Sequence, residues 1–361
     1  MLASRGWTAR VHERAPEVRE VGAGIYIKNN ALDVFDAYGI FAPLAERGLQ
    51  LAQAQLIDRH GRVMQQRALT GASRVYAIQR QALIEILRRA AEQAGVEIRT
   101  GSTAAAADPA GALLLEDGRR LPADLVIAAD GAQSRLREQL AVGASYRPLP
   151  TIANRFLIPT REITPDLVNR EYWSGRYRIG ISPCAADLTF AFQVFPQWDA
   201  AARTQVLNVG LWTGAFPHLR REIALMAETP YVQHNYHVVR CPRWQKGRVA
   251  IIGDAAHALP PTLGQGAGLT LMNAHALTLA LGDGRPVTDG LPAWEAAVRA
   301  VSDKTQAWAV RYDSLTREWP APLWFLRPAI IRAFRLPMLN RRMRIADQGL
   351  PRDALRTLGG A

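Results

Sequence analysis

Apolar side chains recur along this chain with two different periods, and the change between them divides it. Residues 8–12 (Thr-Ala-Arg-Val-His) read as a short strand that ends at Glu13, and Ala15-Pro16 begins a loop. Helical spacing follows over 30–47, and again over 80–94, where Gly95 stops it. Val96–Arg99 and Ala112–Glu116 read as strands, with a turn at Glu116-Asp-Gly118. Leu125-Val-Ile-Ala-Ala129 is an unbroken apolar run, as expected of a strand covered on both faces.

From about 145 to 240 the texture becomes alternating and aromatic. Arg170-Glu-Tyr-Trp-Ser174, Tyr177–Ile181, Leu188–Phe195 and Tyr236–Arg240 predict an antiparallel sheet inserted into an α/β domain. The α/β pattern resumes at Gly247, with a strand over Val249–Ile252 and a helix from Gly266 to Leu281. Arg-rich helical sequence then runs to the end, broken by Pro320, Pro322, Pro328 and Pro337. The expected organisation is a discontinuous α/β domain (1–144 and 241–309), a substrate domain (145–240) and a helical C-terminal segment (310–361).

Composition alters this picture little. A chain of 361 residues that is 48% hydrophobic and 21% charged is ordinary for a globular protein of two domains. No apolar run approaches the ~20 residues that cross a bilayer, and Met1 is not followed by a signal-like stretch, so a cytoplasmic location is expected. Cys184 and Cys241 are too few and too far apart for a disulfide framework or a metal cluster. The net charge of +12 comes from 41 Arg against 3 Lys and is scattered. Without a finger, recognition helix or aromatic platform it does not imply nucleic-acid binding.

The chemistry concentrates in Arg248-Val-Ala-Ile-Ile-Gly-Asp-Ala-Ala-His257 and its continuation to Gly268. A buried strand runs into Gly253-Asp254, which places a carboxylate at the strand's carboxyl end, where α/β sheets bind ligands and an acid can accept hydrogen bonds from sugar hydroxyls. The following Pro261-Thr-Leu-Gly-Gln-Gly-Ala-Gly268 lets backbone approach a planar ligand. The helix beyond it offers free N–H groups to an anion. A reduced flavin carries that anion at N1, so the parts fit FAD. Gly22-Ala-Gly24-Ile25, by contrast, follows no buried strand and is not a dinucleotide fingerprint.

With these motifs the sequence resembles the FAD-dependent monooxygenases of the para-hydroxybenzoate hydroxylase type, in particular the salicylate and hydroxynicotinate hydroxylase-like members, over about residues 1–310. The resemblance implies that Glu13 binds the adenosine ribose and that Arg80, in Gln79-Arg80-Gln-Ala-Leu, lies beside the FAD. Asp130, Gly131 and Arg137, in the Asp-Gly motif Asp124–Arg137, belong to the flavin site, with Gly253, Asp254, Gly266, Ala267 and Gly268. Pro261 and Gly264 line the flavin face, and His257 is a catalytic or structural residue of the motif. NADH or NADPH is implied as reductant, with dioxygen and a small aromatic substrate, a phenolic or heteroaromatic acid, hydroxylated through a flavin C4a-hydroperoxide. Tyr172, Trp173, Tyr177, Arg178, His234 and Tyr236 are the candidates for the substrate pocket, which the inserted sheet roofs. No metal, nucleic-acid partner or stable membrane insertion is expected, and the protein should be a monomer or homodimer.

Three departures qualify the match. The family opens with a strand and Gly-x-Gly-x-x-Gly that puts the pyrophosphate on a helix N-terminus. Met1-Leu-Ala-Ser-Arg-Gly matches only the end of that unit, so an upstream start or a truncated form is expected. Asn29-Asn30 stands where Pro-Asn is usual, and Asn273 where Asp is common. The alternatives are a flavoprotein oxidoreductase of the same fold that does not hydroxylate, and a non-catalytic remnant.

Overall fold

A computed structural model of the chain describes residues 1–20, 22–282, 284–317 and 321–333, together with 349 and 358. The fold is mixed α/β, and its parallel layer forms in two pieces. Arg10–His12 pairs in parallel with Glu97–Arg99. Val126–Ala128 pairs in parallel with Val249–Ile251, which Gln245–Lys246 extends antiparallel. Among the described residues no ladder joins the two pieces. Val126, Ala128, Val249, Ala250 and Ile251 are buried, which is why these runs carry no polar alternation. The helix Gly266–Ala280 and the 31-residue helix Val287–Arg317 cover them through Leu269, Met272, Leu277, Leu291, Trp294 and Val298.

The helical stretch expected over 30–47 is two helices, Asn29–Ala37 and Phe41–Arg47. Gly39 takes φ 68° between them and turns the chain. The helix Arg80–Gln93 forms as its spacing predicts, burying Ala82, Leu83 and Ile86 against Ile27, Phe35 and Ile78.

The inserted sheet has seven strands. Their order is Tyr231–Arg240, Ser145–Ile158, Thr189–Pro196, Tyr177–Pro183, Val168–Ser174, Gln53–Asp58 and Val63–Ala68. The last two come from outside 145–240, so the roof is wider than the predicted substrate domain. Gln53–Asp58 lies parallel to Val168–Ser174, and every other pair is antiparallel.

Alternation of side chains gives this sheet two different faces. On one, Phe156, Tyr172, Ile179, Ile181 and Phe195 pack under the helices Val209–Ala215 and Arg220–Glu228 through Trp212, Phe216, Ile223 and Met226. The other, the front, meets the strand Gly24–Lys28, where the Phe190 ring fills the space beside Gly24: a Cβ there would lie 2.6 Å from Phe190 Cγ. Gly24 is therefore glycine because the roof presses on it.

The helix Val287–Arg317 runs unbroken across residue 309, and the short segments Ala321–Leu326 and Arg327–Ala333 follow it. Pro322 and Pro328 lie within those segments, while the breaks expected at Pro320 and Pro337 fall outside the described residues. No helix among the described residues is long and apolar enough to cross a membrane.

Candidate functional site

Two turns follow the carboxyl ends of the neighbouring parallel strands Val126–Ala128 and Val249–Ile251, the place where α/β sheets bind ligands in a crevice. Gly253 enters the first helical turn, Asp254–His257, with φ 63° and ψ −144°, a conformation open to glycine and strained for other residues. The adjoining turn holds Asp130-Gly131. Asp130 accepts hydrogen bonds from the Ser134 hydroxyl and, at 3.2 Å, from the Leu136 amide, so its carboxylate caps the helix Arg135–Leu140. Arg137 is 3% exposed. Its guanidinium donates to the carbonyls of Ala132 and Ala255, at 3.0 and 2.9 Å, and so fastens the two turns together.

Asp254 is open to solvent on one side and crowded by protein on the others. That desolvation pushes its carboxyl above the usual range, with Arg80 and His237 opposing the shift. Arg80, the first residue of its helix, donates to Glu20 at 2.6 Å and through its backbone amide to Ala23 at 3.1 Å. Its buried Nε has no partner. His237 stacks on Tyr146, 4.8 Å between ring centres, and Tyr146 accepts from Gln133 in the Asp130 turn. Glu13 stands at the end of the strand Arg10–His12 as expected, with one carboxylate oxygen accepting the Ala15 amide at 2.8 Å.

The turn Pro261–Leu263 ends at Gly264 in the left-handed region, and the helix Gly266–Ala280 begins without a side-chain cap. Its first N–H groups are therefore available to an anion. Beyond the Cα of Gly266 no protein atom lies within 4 Å of where a Cβ would stand. Gly268 differs: a Cβ there would lie 2.7 Å from Asn30 Oδ1, and Asn30 itself donates to Gln265 at 3.2 Å. The open helix start, the unsatisfied Arg80 Nε and the crevice-facing Asp254 fit a flavin dinucleotide's anionic and hydroxyl-bearing parts. Among the described residues no group of His, Cys, Asp and Glu side chains could hold a metal.

Several expectations need correction. His257 does not face the crevice. It is 3% exposed, pairs through Nε2 with the Asn273 amide at 3.0 Å, and lies against Trp244. Burial lowers its pKa to about 4, so it is a neutral packing residue. Asn273 also donates to Ser302, which gives the amide a structural task. Tyr172 and Tyr177 fall on the helix-covered face, Tyr172 beside His218 and Tyr177 bonded to Asp199. Alternation had put them on opposite faces from Trp173 and Arg178 without saying which face was which. Trp173 and Arg178 do face the front, but Trp173 is packed with Met64, Tyr312 and Ile331. Arg178 pairs with Glu171 at 3.4 Å. Neither is free to receive a substrate carboxylate.

His234 and Tyr236 do lie on the front face. His234 Nε2 is buried without a partner, 3.8 Å from where a Cβ of Gly22 would stand. Burial, then Arg155 and Arg80, lower its pKa to about 4. Tyr236 accepts two hydrogen bonds from Arg155, at 2.9 and 3.3 Å. Sequence reasoning missed Arg155 and Glu20. Arg155 sits in an alternating run whose face was unknown, and Glu20 in a loop without periodicity.

The chain matches the FAD binding domain family over residues 1–207 and 215–303. It is 35% identical over 322 residues to a 2-heptyl-3-hydroxy-4(1H)-quinolone synthase of Mycobacteroides abscessus, covering 86% of this chain and 84% of that one. An aurachin C monooxygenase/isomerase of Stigmatella aurantiaca is 26% identical, over 73% of this chain and 72% of its own. Among solved structures, a tetrameric form of 2-methyl-3-hydroxypyridine-5-carboxylic acid oxygenase superposes with a TM-score of 0.85 at 27% identity, over 98% and 92% of the two chains. Klebsiella pneumoniae HpxO complexed with FAD and uric acid, at 20% identity and a TM-score of 0.81 over 95% and 97%, shares the fold.

Proposed function

The chain belongs to the FAD binding domain family and is an FAD-dependent monooxygenase acting on an aromatic substrate, and from that premise we propose that it hydroxylates the ring of an electron-rich nitrogen heteroaromatic, a 4-quinolone first among them. The observation that carries the proposal is the relation to quinolone synthases across most of both chains. The front face of the roof supports it. Phe192, partly buried with its ring over Gly180, offers apolar surface, and the arginine bonded there to Tyr236 is Arg155. With Arg178 held by Glu171, an aromatic acid has less to recommend it than a neutral ring.

When bound, FAD takes a hydride from NADH or NADPH and activates dioxygen. The chain's own contribution is placement and electrostatics. Asp254 and Glu13 would accept hydrogen bonds from the cofactor's hydroxyls, and Arg80, with its Nε unpartnered, would serve a cofactor anion. The first turn of Gly266–Ala280 would stabilise negative charge on the flavin, and Pro261 and Gly264 would help hold it. Arg137 keeps the Asp130 and Asp254 turns in register. The roof excludes water, Arg155 and Tyr236 orient the substrate oxygen, and neutral His234 donates or accepts one hydrogen bond without adding charge.

The test is NAD(P)H oxidation by the FAD-loaded protein with a 2-alkyl-4-quinolone, followed with product mass. Oxidation that depends on the quinolone and a product heavier by one oxygen are expected. Oxidation with no oxygen in the product would indicate a reductase instead. Protein that stays colourless after incubation with FAD would indicate a remnant.

A further inference from the structure

The loop between the roof strand Thr189–Pro196 and the helix Val209–Ala215 carries the two most exposed large apolar side chains among the described residues, Trp198 at 66% and Val206 at 80%. Val209, at the start of the helix, is also exposed. A slack loop would be free to fold such side chains inward. This one is tied down. Tyr177 donates to Asp199 at 2.5 Å, and Asn208 donates to the Ala201 carbonyl at 3.1 Å while accepting the Leu211 amide. The Tyr231 hydroxyl reaches the carbonyls of Thr204 and Gln205, both at 2.8 Å. The backbone is thus fixed from three sides with its apolar side chains pointing outward.

The exposed charge of the loop itself has one sign. Asp199 is the sole acid in 197–209, and it is buried and bonded to Tyr177 and to the Ala202 amide. Arg203 is exposed on the same loop, and Arg176 holds its guanidinium 4.7 Å from the centre of the Trp198 ring. Arg220 follows, exposed, at the base of the next helix, beside Arg221, which is paired with Glu162. An exposed aromatic and two valines on a tied-down loop, with Arg176 on the Trp198 ring and Arg203 on the loop itself, match the boundary between phosphate headgroups and acyl chains. An isologous contact between two copies of this chain would set these arginines against one another, which like-charge repulsion disfavours.

We propose that the 197–209 loop docks the protein peripherally onto an anionic lipid bilayer, with Trp198, Val206 and Val209 at the acyl boundary and Arg176 and Arg203 on lipid phosphates. The docking does not depend on the substrate proposed above, though it places the protein where an apolar heteroaromatic accumulates.

The test is flotation of the full-length, FAD-loaded chain with vesicles of equal parts phosphatidylglycerol and phosphatidylcholine, without substrate. Binding is expected at low salt, weaker on pure phosphatidylcholine. Trp198→Ala should reduce partitioning roughly tenfold, and Arg203→Gln about fivefold. These are surface positions, and unchanged far-ultraviolet circular dichroism checks that each variant folds. Failure of the parent chain to float overturns the proposal, as does flotation that the W198A, V206D double variant leaves unchanged. Sedimentation without lipid tests the rival occupant: a dimer that Val206→Asp dissolves would assign the loop to a second copy. Since no turnover is read, either failure leaves the hydroxylase reading standing.

Discussion

Gly266 and Gly268 stand two residues apart at one helix start, and their surroundings predict opposite consequences for the same change. At Gly266 an added methyl meets no protein atom within 4 Å. Gly266→Ala should leave stability unchanged or raise it by at most about 1 kcal/mol, through the lost backbone freedom of glycine. In a protein of this size that is a shift of one or two degrees, roughly, in Tm. If a flavin lies against this turn, the methyl intrudes on it, and such overpacking costs about 1–3 kcal/mol. FAD would then bind roughly 5- to 150-fold more weakly. At Gly268 the methyl would stand 2.7 Å from Asn30 Oδ1, inside protein, so Gly268→Ala should lose about 1–3 kcal/mol whether or not FAD is present. Thermal melts of the cofactor-free protein and fluorescence titration with FAD separate the two effects. Should Gly266→Ala keep the parent affinity for FAD, the ligand does not lie where this helix begins. The reading of the whole crevice would then fail with it.

Arg137→Met removes both bonds between the two turns and leaves two carbonyls unsatisfied, so urea unfolding should show a loss of about 3 kcal/mol, with weaker FAD binding beside it. The Asp254 carboxyl is pushed up by desolvation, so its ionised form works against folding above the ordinary carboxylate range. Asp254→Asn should melt higher than the parent at neutral pH before FAD is added, converge with it as acid protonates both states, and bind FAD less well; a lower melt at neutral pH would contradict this. His257 titrates at about 4 in the folded protein against an ordinary 6.5, so the unfolded chain gains its proton first as pH falls. Stability present above 6.5 drains away towards pH 4, by about 3 kcal/mol for this group. His257→Gln should flatten that part of the urea midpoint's pH dependence, and an unaltered slope would show that His257 is not held neutral.

The strands and turns that carry the candidate site were legible because they are local. The run Leu125–Ala129 and the run Val249–Ile252 announce buried strands, and the acid or glycine that ends each one follows directly in sequence. The helix Arg80–Gln93 was equally plain from its spacing. What remained hidden is nonlocal. Gln53–Asp58 and Val63–Ala68 are rich in polar residues, and only pairing with distant Val168–Ser174 makes them roof strands. Alternation separates Tyr172 from Trp173 but cannot say which face the helices cover, and so Tyr172 and Tyr177 were misplaced. Gly268 looked like room for a ligand, yet its neighbour is Asn30, far away in sequence. His257 looked like chemistry because it adjoins Asp254, but one turn of helix carries it into the core. Trp198 and Val206 left no mark in the sequence, since exposure is a property of the finished surface.

The parallel seam between Gln53–Asp58 and Val168–Ser174 also constrains the order of events at the ribosome. The hairpin Gln53–Ala68 is synthesised about a hundred residues before its partner strand. At ordinary elongation rates it waits on the order of ten seconds with one edge unpaired. On the waiting strand Gln53, Gln55 and Asp58 reduce the apolar surface against which other nascent chains could pair. Replacing them with valines would strengthen strand propensity in the finished sheet while lowering the yield of soluble protein during synthesis. The polarity that hid this hairpin from sequence reading is then a provision for the interval before the roof closes.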